Sequence, residues 1–278
     1  MTSESHKGER LAFRTCLRYT RHHTMKDIAP KTYIYGKHAL MEALRNSPHA
    51  VEKVLLAPQG EDKEVRALAK SANISVIDLS PKTMLHDIDS SAVHQGVIGL
   101  VSLGKLVREY REFVEGLKIG PDSSLVILGE IQDPQNVGAI IRSATAFGVA
   151  GVLIPEHNQA PITGTVVKVS AGMAFRVPLV SIGNVNTTAR DLKERGFWIY
   201  GLQGDAPQNI ATEKFDAPAV FIFGNEATGI RLKTRELCDI LLSIPMNPGC
   251  ESLNVSASAA VALYAWSAQH PRALKKDI

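Results

Sequence analysis

From residue 124 onward the chain repeats one pattern, a short apolar run followed by a longer stretch of helical periodicity. The runs fall at 125–128, 151–154, 177–180, 197–201, 219–223 and 240–244. Each is too short for a helix and lacks the polar alternation of a half-exposed strand, so each reads as a strand buried on both faces. Helical stretches at 137–147, 163–174, 185–195 and 229–238 separate most of them, and a last helix covers about 253–268. Strands alternating with helices predict an α/β fold with a largely parallel sheet covered on both sides. Ligands in such sheets bind outside the carboxyl ends of the strands, so the loops after the apolar runs are where chemistry is expected.

The 278 residues exceed what that unit needs, and a prior of roughly 100–200 residues per domain points to two. Ahead of residue 106 the pattern is smaller in scale. Ala39, Leu40, Ala43 and Leu44 sit at helical spacing within 36–45. A strand at 51–57 ends at Pro58, Gln59 and Gly60; a helix at 61–71, a strand at 74–79, a short helix start at 81–86 and a third apolar run at 97–103 follow. The expected division is a basic, disordered tail over 1–30, a compact α/β unit over 31–105, a linker over 106–122 and the larger domain over 123–278. The linker assignment rests on a charged stretch that ends in the turn residues Gly120, Pro121 and Asp122.

Charge is a weak guide to partners here. The net charge is +3, but residues 1–32 carry seven Lys and Arg (Lys7, Arg10, Arg14, Arg18, Arg21, Lys26 and Lys31) against three acids. The remaining chain is close to neutral, so the excess belongs to one segment. Arg10, Arg14 and Arg18 would share one face of a helix turned toward phosphates. A transit peptide fits less well because of Glu4 and Glu9. A disordered tail, or a start codon placed ahead of Met25, accounts for the composition more simply. Cys16, Cys238 and Cys250 are too few and too scattered for a disulfide framework or a CxxC metal site. No window approaches the roughly 18 apolar residues of a membrane span, and the first residues lack the apolar stretch of a secretory signal. A cytoplasmic protein without a resident metal is expected.

The larger domain lacks the common cofactor signatures: no GxGxxG after its first strand, no GxxxxGK[ST] and no HExxH. Dehydrogenases, P-loop enzymes and metallohydrolases therefore lose ground. Three polar clusters remain, each just past a strand. The first runs from Gly129 to Ala144 and contains Asn136, suited to a helix N-cap, and Arg142, almost two turns further on. In the second, Gly224 follows an apolar strand directly, where a missing Cβ lets backbone approach a ligand, and Glu226 stands in a turn. In the third, from Ile244 to Ala260, Ser252 and Asn254 crowd the start of an otherwise apolar helix and suit either a cap or a ribose contact. Taken one at a time, a capped helix or an ordinary loop explains each as well.

Their order and spacing together are specific. The strings N-x-G-A-x-x-R (Asn136 to Arg142), G-N-E-x-x-G (Gly224 to Gly229) and I-P-M followed by S-L-N-V-S (Ile244 to Ser256) resemble the three motifs of the SpoU (TrmH-type) family of SPOUT RNA 2′-O-methyltransferases. The resemblance covers essentially all of 124–268. The first unit, with Tyr35, Gly36, Lys37, His38, Glu42 and then His94, Gln95, Gly96 and Val97, is similar to the substrate-binding domain of the family's 23S rRNA guanosine enzymes.

The resemblance implies a trefoil-knotted methyltransferase domain behind a small L7Ae/L30e-like α/β domain, a homodimer, and S-adenosylmethionine as methyl donor. It implies cofactor contacts at Gly224, Ile244 and Leu253, and catalytic roles for Arg142, Asn136, Glu226, Ser252 and Asn254. The implied reaction moves a methyl group from a sulfonium to a ribose 2′-oxygen of a guanosine, in 23S rRNA or alternatively in tRNA. A guanidinium with a pKa above about 12 does not serve readily as a base. The expectation is that Arg142 grips a phosphate and the developing alkoxide, held in register by Glu226, Asn136 and Asn254. Lys37 and His38 are candidate RNA contacts, equally readable as solvated side chains. A catalytically silent RNA-binding factor and a small-molecule enzyme are the rival classes.

Overall fold

The computed structural model describes residues 31–57, 62–79 and 96–275. The basic tail with Cys16, the turn at Pro58 to Gly60, the short helix start at 81–86 and the pair His94 and Gln95 lie outside the described residues.

The first unit holds β1 (Lys31–Tyr35), α1 (Lys37–Asn46), β2 (Val51–Leu56), α2 (Lys63–Ser71), β3 (Ser75–Asp78) and β4 (Val97–Ser102). Its four-stranded sheet has the order β1-β4-β2-β3; β4 runs antiparallel to both β1 and β2, and β2 and β3 are parallel. Strand β1 was not expected. Its pattern is only five residues long, and its hydrogen-bonding partner, β4, lies more than sixty residues away in sequence.

Next come β5 (Val107–Glu109) and α3 (Tyr110–Gly116), within the stretch expected to be a linker. That stretch is folded: β5 pairs in parallel with a later strand and forms the edge of the large sheet, and Val114 of α3 is buried beneath that sheet. Three residues, Val-Arg-Glu, carry no legible strand pattern; the open edge of the sheet makes the strand.

The larger unit continues with β6 (Ser124–Gly129), α4 (Pro134–Ala146), β7 (Gly151–Pro155), α5 (Gly164–Val169), β8 (Leu179–Ile182), α6 (Val185–Glu194), β9 (Trp198–Leu202) and β10 (Gln208–Asn209). It closes with β11 (Ala219–Gly224), α7 (Leu232–Arg235), β12 (Ile240–Ser243) and α8 (Val255–Gln269). The eight strands are ordered β10-β12-β9-β11-β6-β7-β8-β5, and every pairing is parallel.

Side chains alternate across a strand, so each apolar run feeds two cores. Leu125 and Ile127 of β6, with Val220 and Ile222 of β11, pack on the face covered by α3 and α6. Val126 and Leu128, with Phe221 and Phe223, pack on the face covered by α4, α5 and α8. Each fully buried Leu, Ile or Phe contributes roughly 1.5–3 kcal/mol relative to exposure. The second core continues without a break into Ile34, Leu40, Leu44 and Val101 of the first unit.

Two helices are shorter than their patterns suggest. The helical stretch expected at 229–238 shrinks to α7 because Gly229, at φ +66°, closes a turn onto Asn225 and holds the chain outside the helical region. The stretch at 163–174 stops as α5 at Val169, where Ala171 and Gly172 both take positive φ, and a single 3-10 turn, Met173–Phe175, follows. Among the described residues, no helix is long and apolar enough to cross a membrane.

Candidate active site

Because all pairings are parallel, the loops after β6, β9, β11 and β12 leave one edge of the sheet together. The first loop ends at α4, whose N-cap is Asp133: its carboxylate accepts the Gln135 N–H at 2.8 Å, and Pro134 occupies the first helical position. Asn136, expected as the cap, instead lies inside the first turn. Its side chain is therefore free to reach across the site, and it is buried.

The second loop is a tight turn organised by Asn225. Its backbone exchanges hydrogen bonds with Gly229 at 2.9 and 3.1 Å, and its Oδ1 accepts the N–H groups of Ala227 at 3.0 Å and Thr228 at 3.2 Å. Its Nδ2 donates to the Glu130 carbonyl at 2.9 Å, tying the turn to the loop after β6. Gly224 is required by this closure. A Cβ there would lie 2.3 Å from the Gly229 carbonyl carbon and 2.4 Å from the Ile230 nitrogen. The glycine thus admits the chain's own backbone, which is a different reason from the ligand approach expected of it. Gly224→Ala is expected to cost about 1–3 kcal/mol, read from the denaturant midpoint, because backbone cannot swing aside as a side-chain tip can. An unchanged midpoint would show that the turn is looser than this.

The third loop ends at α8, capped by Asn254, whose Oδ1 accepts from the Ser256 N–H at 2.8 Å and from the Ser256 hydroxyl at 2.6 Å.

Glu226 joins all three loops. Its Oε1 accepts from Asn136 Nδ2 at 3.0 Å and the Asp133 N–H at 3.2 Å, and its Oε2 accepts from the Gln132 N–H at 3.2 Å. Asn254 Nδ2 in turn donates to Asn136 Oδ1 at 3.1 Å. The chain of bonds fixes both amide orientations: a flipped Asn136 would turn its carbonyl onto a carboxylate. Burial pushes the Glu226 carboxyl upward, but the hydrogen bonds from Asn136 and the backbone outweigh it and hold the group below its ordinary value.

Beside this network lies a cavity of about 550 Å³, a size suited to a small organic ligand. Leu202, Phe223, Leu242, Ile244, Leu253 and Val255 supply apolar walls; Gly224, Glu226, Ser252 and Asn254 line it as well. Seven of the eight expected site residues are thus gathered here, six and Gly224 alike on the cavity or bonded to its lining. Arg142 stands apart. Six residues beyond Asn136, it is about 9 Å further along the helix and turned by roughly 120° from that side chain. It is exposed, and no hydrogen bond or ion pair holds it among the described residues.

Several participants were not singled out from the sequence. Asn225 organises the turn, and the backbone of Gln132 and Asp133 holds the carboxylate. Gln203 and Arg235, which line the cavity, are joined by an Arg235 N–H donated to Gln203 at 3.4 Å. Gln203 was legible in principle, since it directly follows β9, a strand adjacent to both β11 and β12. No cluster of metal-ligating side chains occurs among the described residues.

A parallel α/β domain with one polar hub and a ligand-sized cavity at its strand ends, preceded by a small α/β unit, defines the class. The chain belongs to the SpoU rRNA Methylase family, which residues 123–264 match; residues 33–104 match the family described as RNA 2′-O ribose methyltransferase substrate binding. It is 35% identical over 241 residues to the 23S rRNA (guanosine-2′-O-)-methyltransferase RlmB of Nitrosomonas europaea, covering 86% of this chain and 92% of that one. RlmB of Escherichia coli is 35% identical over 233 residues, 83% of this chain and 96% of its own. Among solved structures, the SpoU methyltransferase AviRb from Streptomyces viridochromogenes, in complex with the cofactor AdoMet, superposes with a TM-score of 0.72 at 24% identity, covering 87% and 91% of the two chains. An rRNA methyltransferase from Sinorhizobium meliloti gives 0.71 at 20% identity over 86% and 88%. These two likenesses carry the fold.

Proposed function

We propose that this protein methylates the ribose 2′-oxygen of a guanosine in 23S rRNA, with S-adenosylmethionine as donor. The observation that carries the reading is the hub of Glu226, Asn136 and Asn254, which unites the three family motifs beside an apolar cavity. Identity of 35% to RlmB enzymes across both units supports the substrate.

The residues present fit such a cofactor. Leu202, Phe223, Ile244 and Leu253 offer walls for a flat base, and the strand-end backbone at Gly224 offers fixed polar groups. When bound, S-adenosylmethionine supplies an electrophilic methyl group on a sulfonium. The chain's own work is to orient the ribose and stabilise its 2′-oxygen. The Glu226–Asn136–Asn254 chain is already hydrogen-bonded in the absence of substrate, so its polar groups are set before the reaction begins. Ser252 lines the same space. The exposed planar fork of Arg142 suits a phosphate next to the reacting ribose.

The loops after β11 and β12 are those that the family threads as a knot, and we assign them that role here. Tyr264 on α8 is 62% exposed and packs edge-on against Phe147, beside exposed Val261 and Leu274. This apolar face supports a homodimer. A cytoplasmic location follows from the ribosomal substrate.

The test is transfer of labelled methyl from S-adenosylmethionine to unmodified transcripts of 23S rRNA domain V and of tRNA. Label in the rRNA alone is expected. Label in tRNA alone would overturn the substrate, and label in neither, with cofactor bound, would favour a silent RNA-binding factor.

A further inference from the structure

The two units are joined by more than chain. The connection between β4 and β5 is the four-residue 3-10 turn Leu103–Leu106, with both leucines buried, so it has no slack. The first unit also docks sideways onto residues 164–176, the α5 segment. Thr32 lies against Gly164, where a Cβ would meet its Oγ1 at 3.0 Å. The Ser47 hydroxyl donates to the Phe175 carbonyl at 3.0 Å in a buried bond. Gly172, at φ +81°, brings its backbone against α1; a Cβ there would lie 3.1 Å from Ala39 Cα and 3.3 Å from Glu42 Cβ.

An ion pair spans this contact. Arg176 Nε approaches Glu42 Oε2 at 3.2 Å, with side-chain exposures of 50% and 8%. Glu42 Oε2 also accepts from Asn46 Nδ2 at 3.0 Å. A carboxylate this deeply buried is costly unless paired, and the pairing cation comes from the other unit. The opposite side of the α5 segment packs on α4: a Cβ at Gly138 would fall 2.7 Å from Val169 Cβ and 3.0 Å from the Val166 carbonyl. The segment is therefore sandwiched between the first unit and the helix that bears Asn136 and Arg142.

We propose that Glu42 and Arg176 are positioning residues: their ion pair latches the RNA-reading unit at a fixed distance and direction from α4, and so sets which nucleotide reaches the site. The consequence for RNA rests on the function proposed above; the latch itself does not. Neither residue lines the cavity or touches the Glu226 hub, so cofactor affinity is independent of them. Gly172 and the Ser47–Phe175 bond define the seat, and the ion pair supplies the part of the contact that a single substitution can invert.

The experiment uses the full chain with a probe pair in place of exposed Lys70 and Glu194, one on each unit, and compares the parent with Arg176→Glu and Glu42→Gln. Pulsed dipolar spectroscopy should give one narrow distance in the parent and a broadened distribution in Arg176→Glu, which sets two like charges together. Equally narrow distributions in all three would overturn the latch. In parallel, the KM for the rRNA fragment should rise about tenfold in Arg176→Glu, with kcat within about twofold, since a fixed approach is lost rather than a reacting group. Sequencing of the product should then find methyl groups spread to neighbouring nucleotides. Broadened distances with unchanged KM and an unchanged methylation site would overturn the role in RNA selection. A parent that shows the narrow distance but methylates no RNA would refute the proposed function and leave the latch standing. Glu42→Gln keeps the shape and removes the charge, so a collapse of Arg176→Glu through misfolding alone is recognised by an intact, broadened Glu42→Gln.

Discussion

Replacing Glu226 with glutamine is expected to slow methyl transfer by about 10²–10³-fold while the chain stays folded and the cofactor still binds. The two side chains have the same shape, but the carboxylate accepts at both oxygens and glutamine at one. Glu226 receives Asn136 on one side and the backbone N–H groups of Gln132 and Asp133 around it. A glutamine must turn its NH₂ toward one of these donors. If it faces Asn136, that amide flips or withdraws, and the bond from Asn254 to Asn136 Oδ1 is lost with it. Three loops then lose their common anchor, so the effect should appear in the single-turnover rate rather than in cofactor affinity measured by calorimetry. A rate within threefold of the parent would mean that the hub holds structure only.

The same hub sets a sign for pH. The Glu226 carboxyl is held below its ordinary value of 4.5, so these contacts contribute fully to stability above that value and lose their contribution as pH falls through the depressed folded value. Near neutrality Glu226 stays anionic, and a change of rate in that range belongs to another group.

Arg142→Lys is expected to lower kcat/KM on the RNA by about 10²-fold, and Arg142→Ala by about 10³-fold, with cofactor affinity unchanged in both. Arg142 does not line the cavity, which protects cofactor binding from its loss. It presents an exposed guanidinium on α4 with no protein partner among the described residues, and a planar fork can bind two phosphate oxygens at once. Lysine restores the charge but not the fork. Near-normal turnover by the lysine variant would therefore sink the bidentate role and leave a simple electrostatic one.

Much of this was legible from residue order. Strands buried on both faces read as continuous apolar runs, so β6, β7, β9, β11 and β12 appear in the sequence close to their observed bounds. The polar clusters follow three of these strands because a parallel sheet places all such loops on one edge. What escaped the sequence was decided by tertiary partners. Strand β5 exists because β8 offers it an edge, and Val107, Arg108 and Glu109 have no strand pattern of their own. Asn136 and Asp133 are both good caps by residue type, and Pro134 between them, at the first helical position, is the signal that selects Asp133. The expected grip of Glu226 and Asn136 on Arg142 is not formed in this structure; six residues along α4 place the Asn136 and Arg142 side chains on different faces. The latch between Glu42 and Arg176 joins residues 134 positions apart, and although Glu42 belongs to the string that marks the first unit, nothing in the sequence pairs it with Arg176.

The most direct test of the central claim is the chemical identity of the methylated nucleoside. The labelled rRNA domain V product would be digested to nucleosides and resolved by mass spectrometry. A single product is expected, guanosine carrying its methyl group on the ribose 2′-oxygen, absent when the enzyme carries Glu226→Gln. A methyl group on the base, or on the ribose of another nucleoside, would contradict it.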